Sequence, residues 1–244
     1  MKNKVLGANV EGYFNPHTMG NVVHIVGVGA TGSFLCQQIA RMGVETIHIY
    51  DDDHIEEHNI NNQAYGVRDI GRMKVEACAQ ITNSMVMYED PSDDNPPVVI
   101  PHERRVNTKD DLELVKGKSF TVFLLVDNME SRISMVESLE LALDCREVIE
   151  TGLGVGNYDV RIVRPQQGYT HWLEQMKLLS AEADQPDFDE VSACGAPFAT
   201  SHIAEMCAGH ASSVYMETCR PDTYVFDTIS HDVRGCMVIA SKEA

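Results

Sequence analysis

The sequence predicts an α/β protein built on a doubly wound sheet. Three features lead to this prediction. A β-branched run at 22–26 is followed by a glycine-rich turn, a segment with helical periodicity and a second β-branched run at 46–50, and strand, helix, strand is the unit of a parallel sheet. The apolar run 120–126 continues that pattern. The alternating run 158–164 is instead typical of an antiparallel sheet with one solvated face. The expected fold is therefore a Rossmann-like sheet whose parallel N-terminal half continues into antiparallel C-terminal strands.

The parallel half should contain strands and helices in alternation. A helix is expected over 33–42, where apolar residues recur at helical spacing. The later elements of this half are an Asn-rich loop at 58–63, a helix over 71–85, an acidic, Pro-containing loop at 89–97, a strand over 98–100, a short helix over 110–115, a helix over 129–143 and a strand over 148–151.

The C-terminal half should add a crossing loop, a helix and a terminal hairpin. The acidic stretch 182–190 is the expected loop, 197–216 the helix, and 224–229 with 235–239 the hairpin. We therefore divide the chain into an N-terminal arm (1–20), a nucleotide-binding half (21–152) and a C-terminal half with the crossover loop (153–244). No linker marks residue 152, so the two halves should form one continuous domain.

Composition excludes several functional classes. The 244 residues include 37 Asp and Glu against 19 Lys and Arg, a formal net charge of −18. This charge disfavours binding to nucleic acid and to anionic membranes, which both need a basic surface. The seven cysteines are an odd number without tight pairs, which argues against a secreted disulfide framework. No run resembles a signal peptide or a membrane span, so a soluble, cytoplasmic protein is expected.

The turn after the first strand has the glycine spacing of a phosphate-binding loop. Gly27, Gly29 and Gly32 lie between a strand and a helix, where glycines permit a tight turn and the helix N-terminus attracts an anion. Asp51 ends the next strand and is placed to accept hydrogen bonds from ribose hydroxyls. The alternative is a glycine turn that only packs a helix. The turn alone does not distinguish NAD from ATP.

Four ordered blocks downstream of the turn make that distinction. They are Asp51-Asp52-Asp53-His54-Ile55, Asn59-Ile60-Asn61-Asn62-Gln63, Ile70-Gly71-Arg72-Met73-Lys74 and Val126-Asp127-Asn128 with Arg132. In order and spacing they resemble the ThiF/MoeB/HesA family of ubiquitin-activating-enzyme-like adenylyltransferases. The resemblance covers about residues 20–152 and is weak beyond them.

The resemblance implies a function and a set of site residues. The implied reaction is ATP- and Mg²⁺-dependent adenylation of the C-terminal carboxylate of a small ubiquitin-like or sulfur-carrier protein, or of a peptide, by a homodimer. Asp127 would hold Mg²⁺, Lys74 would place a cation on the triphosphate, and Asn128 and Arg132 would brace the loop. The other implied nucleotide-binding residues are Gly27, Gly29, Gly32, Asp51, Asp53, Asn59 and Gln63.

Departures from the family pattern leave alternatives open. Asn62 replaces the family's Arg, and residues 1–20 contain no Arg, so Arg68 and Arg72 are candidates to compensate or else solvated loop cations. The family's paired Cys-x-x-Cys zinc ligands have no counterpart, and we predict a zinc-less variant. A scaffold that binds nucleotide without chemistry is the second hypothesis. A nicotinamide-dependent oxidoreductase is the third, although it leaves Lys74 and Asp127 unexplained.

Cys194 is the cysteine with a candidate catalytic role. It lies in a Cys-Gly-Ala-Pro segment where the family's crossover loop returns to a helix. A loop thiol facing an acyl-adenylate could accept the acyl group as a thioester or form a persulfide conjugate. The alternative is a small buried residue at the start of a helix, since free cysteine is among the most buried residue types.

Overall fold

The computed structural model describes residues 5–6, 14, 22–90, 95–154, 156–164, 169–182, 200–220, 227–233 and 237–241. Its strands are β1 (Val5–Leu6), β2 (Val22–Val26), β3 (Ile47–Asp51), β4 (Met87–Tyr88), β5 (Val99–Glu103), β6 (Phe120–Leu124), β7 (Cys145–Leu153), β8 (Asn157–Val163), β9 (Thr228–Asp232) and β10 (Met237–Ser241). Its α-helices are α1 (Ala30–Arg41), α2 (Lys74–Asn83), α3 (Met129–Ser138), α4 (Thr170–Glu182) and α5 (Ser201–Thr218).

Eight strands form one mixed sheet in the order β10-β9-β8-β7-β6-β2-β3-β5. Neighbouring strands from β7 to β5 are parallel, whereas β7, β8, β9 and β10 pair antiparallel in succession. The predicted change from a parallel to an antiparallel half is therefore confirmed. The chain runs from β2 to β3 and β5 on one side and returns to β6 and β7 on the other, so the topological switch point lies between β2 and β6.

Both faces of the parallel sheet are covered, which explains its nearly continuous apolar strands. Val23 and Ile25 of β2 belong to the core with α1 and α5, whereas Val22 and Val26 belong to the core with α3 and α4. This alternation follows from the two-residue period of a strand. Among the described residues, no helix combines the length and the apolar composition needed to cross a membrane.

Some element boundaries differ from the sequence predictions. Helix α3 ends at Ser138 rather than at 143, and the turn that follows exposes 82% of Leu141 and 86% of Leu143. The expected helix at 110–115 is a single 3₁₀ turn, Lys109–Asp111. Helix α4, which has 13 residues, was not predicted, because its apolar residues recur only weakly at helical spacing. The terminal hairpin is confirmed, and its described strands are Thr228–Asp232 and Met237–Ser241.

Three histidines and a tyrosine stack across β2, β3 and β5. The His24 and His48 rings lie 5.1 Å apart, and the Tyr50 ring lies 4.7 Å from His102. His24 Nδ1 is 3.0 Å from the Tyr50 hydroxyl, and His48 Nδ1 is 2.8 Å from His102 Nε2. Burial, together with the neighbouring imidazoles, lowers the pKa of His24 to about 3 and that of His48 to about 4.

The histidine stack should make the protein sensitive to mild acid. An unfolded histidine has a pKa near 6.5, so the folded state binds fewer protons than the unfolded state below that pH. Stability should be complete above about pH 6.5 and should decline as the pH falls towards the folded values. His24 alone should contribute a loss of about 2 kcal/mol between pH 6.5 and 5. The charges nearest to the stack, Arg104 and Glu113, oppose each other in their effect on the His48 pKa.

Urea unfolding at a series of pH values measures this loss. His24→Phe should flatten the slope between pH 6.5 and 5, whereas the exposed His202→Phe should leave it unchanged. Equal slopes for wild type and His24→Phe would contradict the assignment.

Candidate functional site

A cavity of about 880 Å³ opens at the carboxyl ends of the parallel strands. This volume lies within the usual range for small-molecule sites. We call it the central cavity. Residues at or directly after the ends of β2, β3, β5, β6 and β7 line it, and the first residues of β8 close one end. The cavity therefore lies over the switch point, where doubly wound proteins bind their ligands.

The glycine turn is shaped by two close backbone approaches. Gly27 has φ +96°, and a Cβ there would lie 2.9 Å from the carbonyl oxygen of Leu125. A Cβ on Gly32 would lie 2.0 Å from the carbonyl oxygen of Gly27. Gly29 differs, since the nearest atom to its added Cβ would be Gln63 Nε2 at 4.0 Å. Gly27 and Gly32 are thus required for the turn itself, whereas Gly29 leaves open space beside the cavity.

The N-terminus of α1 and Asp51 form one end of the site. Helix α1 begins directly after Gly29, with no acidic residue in its first turn and no side-chain cap. Its first N–H groups therefore remain available to an anion. Asp51 accepts hydrogen bonds from the backbone N–H groups of Val28 at 2.9 Å and Asp53 at 3.0 Å. Burial raises the pKa of Asp51, and the nearby Lys74 opposes that shift.

Lys74 lines the cavity but is already paired. Its Nζ lies 2.8 Å from Asp53 Oδ2, and the Lys74 side chain is 9% exposed against 66% for Asp53. The cation is the first residue of α2, which orients it towards the end of β3. An anionic ligand would have to share Lys74 with Asp53 or displace that carboxylate towards solvent.

The three amide side chains of the 59–63 loop differ in their roles. Asn59 is buried, and its Oδ1 accepts a hydrogen bond from the Glu56 N–H at 2.9 Å, so it shapes the loop. Asn62 Oδ1 and Gln63 Oε1 are buried beside the cavity without a hydrogen-bond partner in the described part of the chain. Since buried polar atoms are nearly always paired, these two amides favour a polar ligand in the cavity.

The loop after β6 presents one free carboxylate on a braced backbone. Asp127 lines the cavity and makes no hydrogen bond or ion pair with any described residue. Asn128 caps α3 by accepting a hydrogen bond from the Ser131 N–H at 2.9 Å. Arg132 donates from Nε to the Val126 carbonyl at 2.7 Å and forms an ion pair with Glu150. Both neighbours therefore hold the loop that presents Asp127.

Several charged residues at the cavity were not predicted from the sequence. They are Arg104 and Arg105 after β5, Glu150 in β7, and Asp159 and Arg161 in β8. Glu150 could have been noticed as an acid inside the predicted strand 148–151, because a fully buried carboxylate needs a partner. The two β8 residues carried no such signal, since alternation of polar and apolar residues is ordinary in an antiparallel strand.

Arg68 and Arg72, the candidates to replace the positive charge missing at Asn62, lie outside the lining of the cavity. Arg72 donates to Asp69 and to Gln80, both at 2.7 Å.

Cys194 and its segment lie outside the described residues, so its role stays a prediction. The described cysteines are buried, and burial raises the pKa of the Cys207 thiol to about 12. In the described part of the chain, the group of side chains that could hold a metal ion is Asp51, Asp52 and Asp53.

The fold and the site define a doubly wound α/β protein with the glycine turn of nucleotide-binding domains. The ThiF family model matches residues 20–218, and the chain belongs to that family. A 124-residue segment is 29% identical to ubiquitin-like modifier-activating enzyme 5 of Caenorhabditis elegans. That segment covers 46% of this chain and 27% of the relative, so the chain matches about a quarter of that protein.

Solved structures share the fold at low sequence identity. The crystal structure of PaaA has a TM-score of 0.69 at 17% identity over 93% of this chain and 65% of its own. Escherichia coli MccB, solved with AMPCPP and MccA, has a TM-score of 0.67 at 15% identity over 93% of this chain and 65% of its own. These likenesses confirm the predicted fold class.

Proposed function

We propose that the protein is an ATP- and Mg²⁺-dependent adenylyltransferase that activates the C-terminal carboxylate of a small ubiquitin-like or sulfur-carrier protein, or of a peptide. One arrangement supports this proposal above all. The open glycine turn with Asp51 lies on the β2/β3 side of the switch point, and the free carboxylate of Asp127 lies on the β6 side of the same cavity.

The nucleotide would occupy the β2/β3 side. The N–H groups at the start of α1 would bind phosphate oxygens, and Asp51 would accept hydrogen bonds from the ribose. Lys74 would supply a positive charge beside the phosphates, shared with Asp53. The unpaired Oδ1 of Asn62 and Oε1 of Gln63 are acceptors, so they would receive hydrogen bonds from O–H or N–H donors of the ligand rather than from its phosphate oxygens.

Asp127 fits the metal role. An unpaired carboxylate on a braced loop is the kind of oxygen ligand that Mg²⁺ prefers, together with water and substrate phosphates. When bound, Mg²⁺ would neutralise charge on the phosphates. The chain itself supplies the fixed carboxylate and, through Asn128 and Arg132, the rigid loop that holds it.

The relatives support both substrates. MccB has been solved with ATP, and also with AMPCPP together with MccA, and the matching nematode protein is a ubiquitin-like modifier-activating enzyme. We extend to this chain the combination of a nucleotide with a carboxylate-bearing protein or peptide. A homodimer is part of the proposal, and light scattering at micromolar concentration measures it.

Asn62 favours one second candidate, a scaffold that binds nucleotide without chemistry. The Arg expected at this position would have placed a positive charge near the phosphates, and its loss should slow phosphoryl chemistry more than binding. Tight ATP binding without turnover would identify this function.

Calorimetry and isotope exchange together test the proposal. ATP with Mg²⁺ should bind with micromolar affinity and NAD(H) should not bind measurably. Radiolabelled pyrophosphate should exchange into ATP only when a suitable carrier protein or peptide with a free C-terminus is added, and not when that C-terminus is an amide. Binding of NAD(H) in preference to ATP would instead indicate an oxidoreductase, and ATP binding without exchange across the carrier panel would favour the scaffold.

A further inference from the structure

A buried network of charges forms the end of the central cavity at β7 and β8. Glu150 is fully buried and lies opposite Arg161 in the antiparallel register. Arg161 NH1 lies 3.0 Å from Glu150 Oε2, and Arg161 NH2 lies 2.6 Å from Asp159 Oδ2. Arg132 pairs with the other oxygen of Glu150. Two guanidinium groups therefore share one buried carboxylate, and Asp159 completes a neutral set of four charges.

Arg161 is held in place but retains hydrogen-bonding capacity. Its side chain is only 13% exposed. Burying a guanidinium costs desolvation energy, and the ion pairs with Glu150 and Asp159 offset that cost. A guanidinium has five N–H donors, and Glu150 and Asp159 are the acceptors of Arg161 in the described part of the chain. Because Arg161 lines the cavity, its unused N–H donors are available to a ligand there.

The backbone beside Arg161 leaves room for a ligand. Gly152 lies next to the guanidinium, and a Cβ added there would be 3.6 Å from Arg161 NH1. A larger side chain at this position would cover the guanidinium. With glycine, an extended chain entering along the end of β7 could reach the unused N–H groups.

The position of Arg161 separates it from the nucleotide. Asp51 and the glycine turn lie on the β2/β3 side of the switch point, whereas β7 and β8 lie beyond β6 on the other side. In doubly wound proteins the two halves of the sheet face different parts of the bound ligands. The side that holds Arg161 therefore faces the second substrate.

We propose that Arg161 binds the carboxylate that the enzyme activates, and so selects substrates with a free C-terminus. This inference rests on the proposed adenylyltransferase function. A planar guanidinium matches a carboxylate in geometry and remains protonated, so the unused N–H groups of Arg161 can bind and orient that carboxylate. A carboxylate oxygen then forms a bond to the α-phosphorus, the bond from that phosphorus to the bridging oxygen breaks, and its electron pair leaves with pyrophosphate.

Arg161 differs from the missing family Arg at Asn62 in both its position and its charge environment. The loop that would carry the family's Arg has a neutral amide, whereas β8 brings the paired side chains of Arg161 and Asp159 to the opposite end of the same cavity. Arg132 shares Glu150 with Arg161, and the substrate carboxylate would be the third carboxylate near Arg161, after Glu150 and Asp159.

Side-chain NMR of ¹⁵N-labelled protein tests the proposal without a known substrate. Acetylglycylglycine is the carboxylate probe and its C-terminal amide the neutral probe, each titrated to tens of millimolar with and without ATP. The Nε–H resonance of Arg161, assigned from its absence in Arg161→Gln, should shift with the carboxylate and not with the amide. A resonance that is unmoved by the carboxylate, or that responds to pyrophosphate or ATP instead, overturns the proposal.

Matched variants separate recognition from folding. Arg161→Gln should weaken binding of the carboxylate probe at least tenfold, and Arg161→Lys should recover part of that lost affinity. The dissociation constant for ATP should change less than twofold in both variants. Arg164→Gln is the control, because Arg164 follows β8 and pairs with Asp227 at 3.0 Å but does not line the cavity. Equal probe affinity in wild type and Arg161→Gln, with both variants folded by thermal unfolding, would refute the role.

The two proposals fail in distinguishable ways. If ATP binds and Arg161 does not respond to the carboxylate, the nucleotide function survives and the carboxylate role is lost. If Arg161 responds and ATP does not bind, the adenylyltransferase proposal fails while the carboxylate site remains.

Discussion

Replacing Asp127 with asparagine should reduce ATP–pyrophosphate exchange by about 10²–10³-fold, the size of loss seen when a preorganised group is removed from a transition state. The physical reason is that Asp127 would be the fixed ligand of Mg²⁺, and an amide holds a hard divalent cation less well than a carboxylate does. The change removes no hydrogen bond or ion pair with any described residue. The melting temperature should therefore stay within about 1 °C of wild type, since isosteric changes away from partners cost little.

The exchange rate against Mg²⁺ concentration, with a responsive carrier, measures this effect. Asp127→Asn should need more Mg²⁺ as well as reaching a lower maximum. Glu130→Gln is the matched control, because Glu130 is an exposed acid in the first turn of α3 and does not line the cavity. Exchange within a few-fold of wild type in Asp127→Asn would remove Asp127 from the mechanism.

Replacing Gly32 with alanine should lower the free energy of unfolding by about 3 kcal/mol, at the upper end of overpacking costs. Gly32 lies in the first turn of α1, where alanine is intrinsically the better helix former by about 1 kcal/mol. The added Cβ would lie 2.0 Å from the carbonyl oxygen of Gly27, however. Because that atom is backbone, the contact is relieved only by moving the turn or the helix, and the nucleotide site should be lost with it.

Urea denaturation compares this variant with two other glycines. Gly209→Ala, in α5, has nothing within 4 Å of the new Cβ, and should stabilise the protein by about 0.5–1 kcal/mol. Gly29→Ala should leave stability nearly unchanged but weaken ATP binding, since its Cβ enters the open space beside the cavity. Equal stability of Gly32→Ala and wild type would show that the turn can relax.

The parallel half of the fold and the glycine-turn end of the central cavity could be predicted because their signals are local. The strand 22–26, the three glycines and helix α1 are contiguous in sequence. The turn needs glycine at 27 and 32 because an added Cβ would lie too close to backbone atoms, those of Leu125 after β6 and those of Gly27 in the turn itself. Asp127 and Asn128 could be placed in the same way, since both directly follow a strong strand.

Element ends and weakly periodic helices were less predictable. Helix α3 was expected to continue to 143, since apolar residues recur through Leu141 and Leu143, yet both are exposed after the helix ends. Nothing in the local pattern reveals where a helix stops covering the sheet. Helix α4 likewise depends on packing against the sheet through Trp172 and Met176 rather than on periodicity.

By itself, the sequence determined most of the element order, the change from a parallel to an antiparallel sheet and the residues of the glycine turn. Only the tertiary structure decided which charges meet in the cavity. Arg161 and Glu150 face each other because of the β7/β8 register, and Arg72 is drawn away by Asp69 and Gln80. The −18 net charge gives no sign of these local cations. Strand order and register are set by the packing of the whole core, and a one-residue shift would turn each of these side chains to the opposite face.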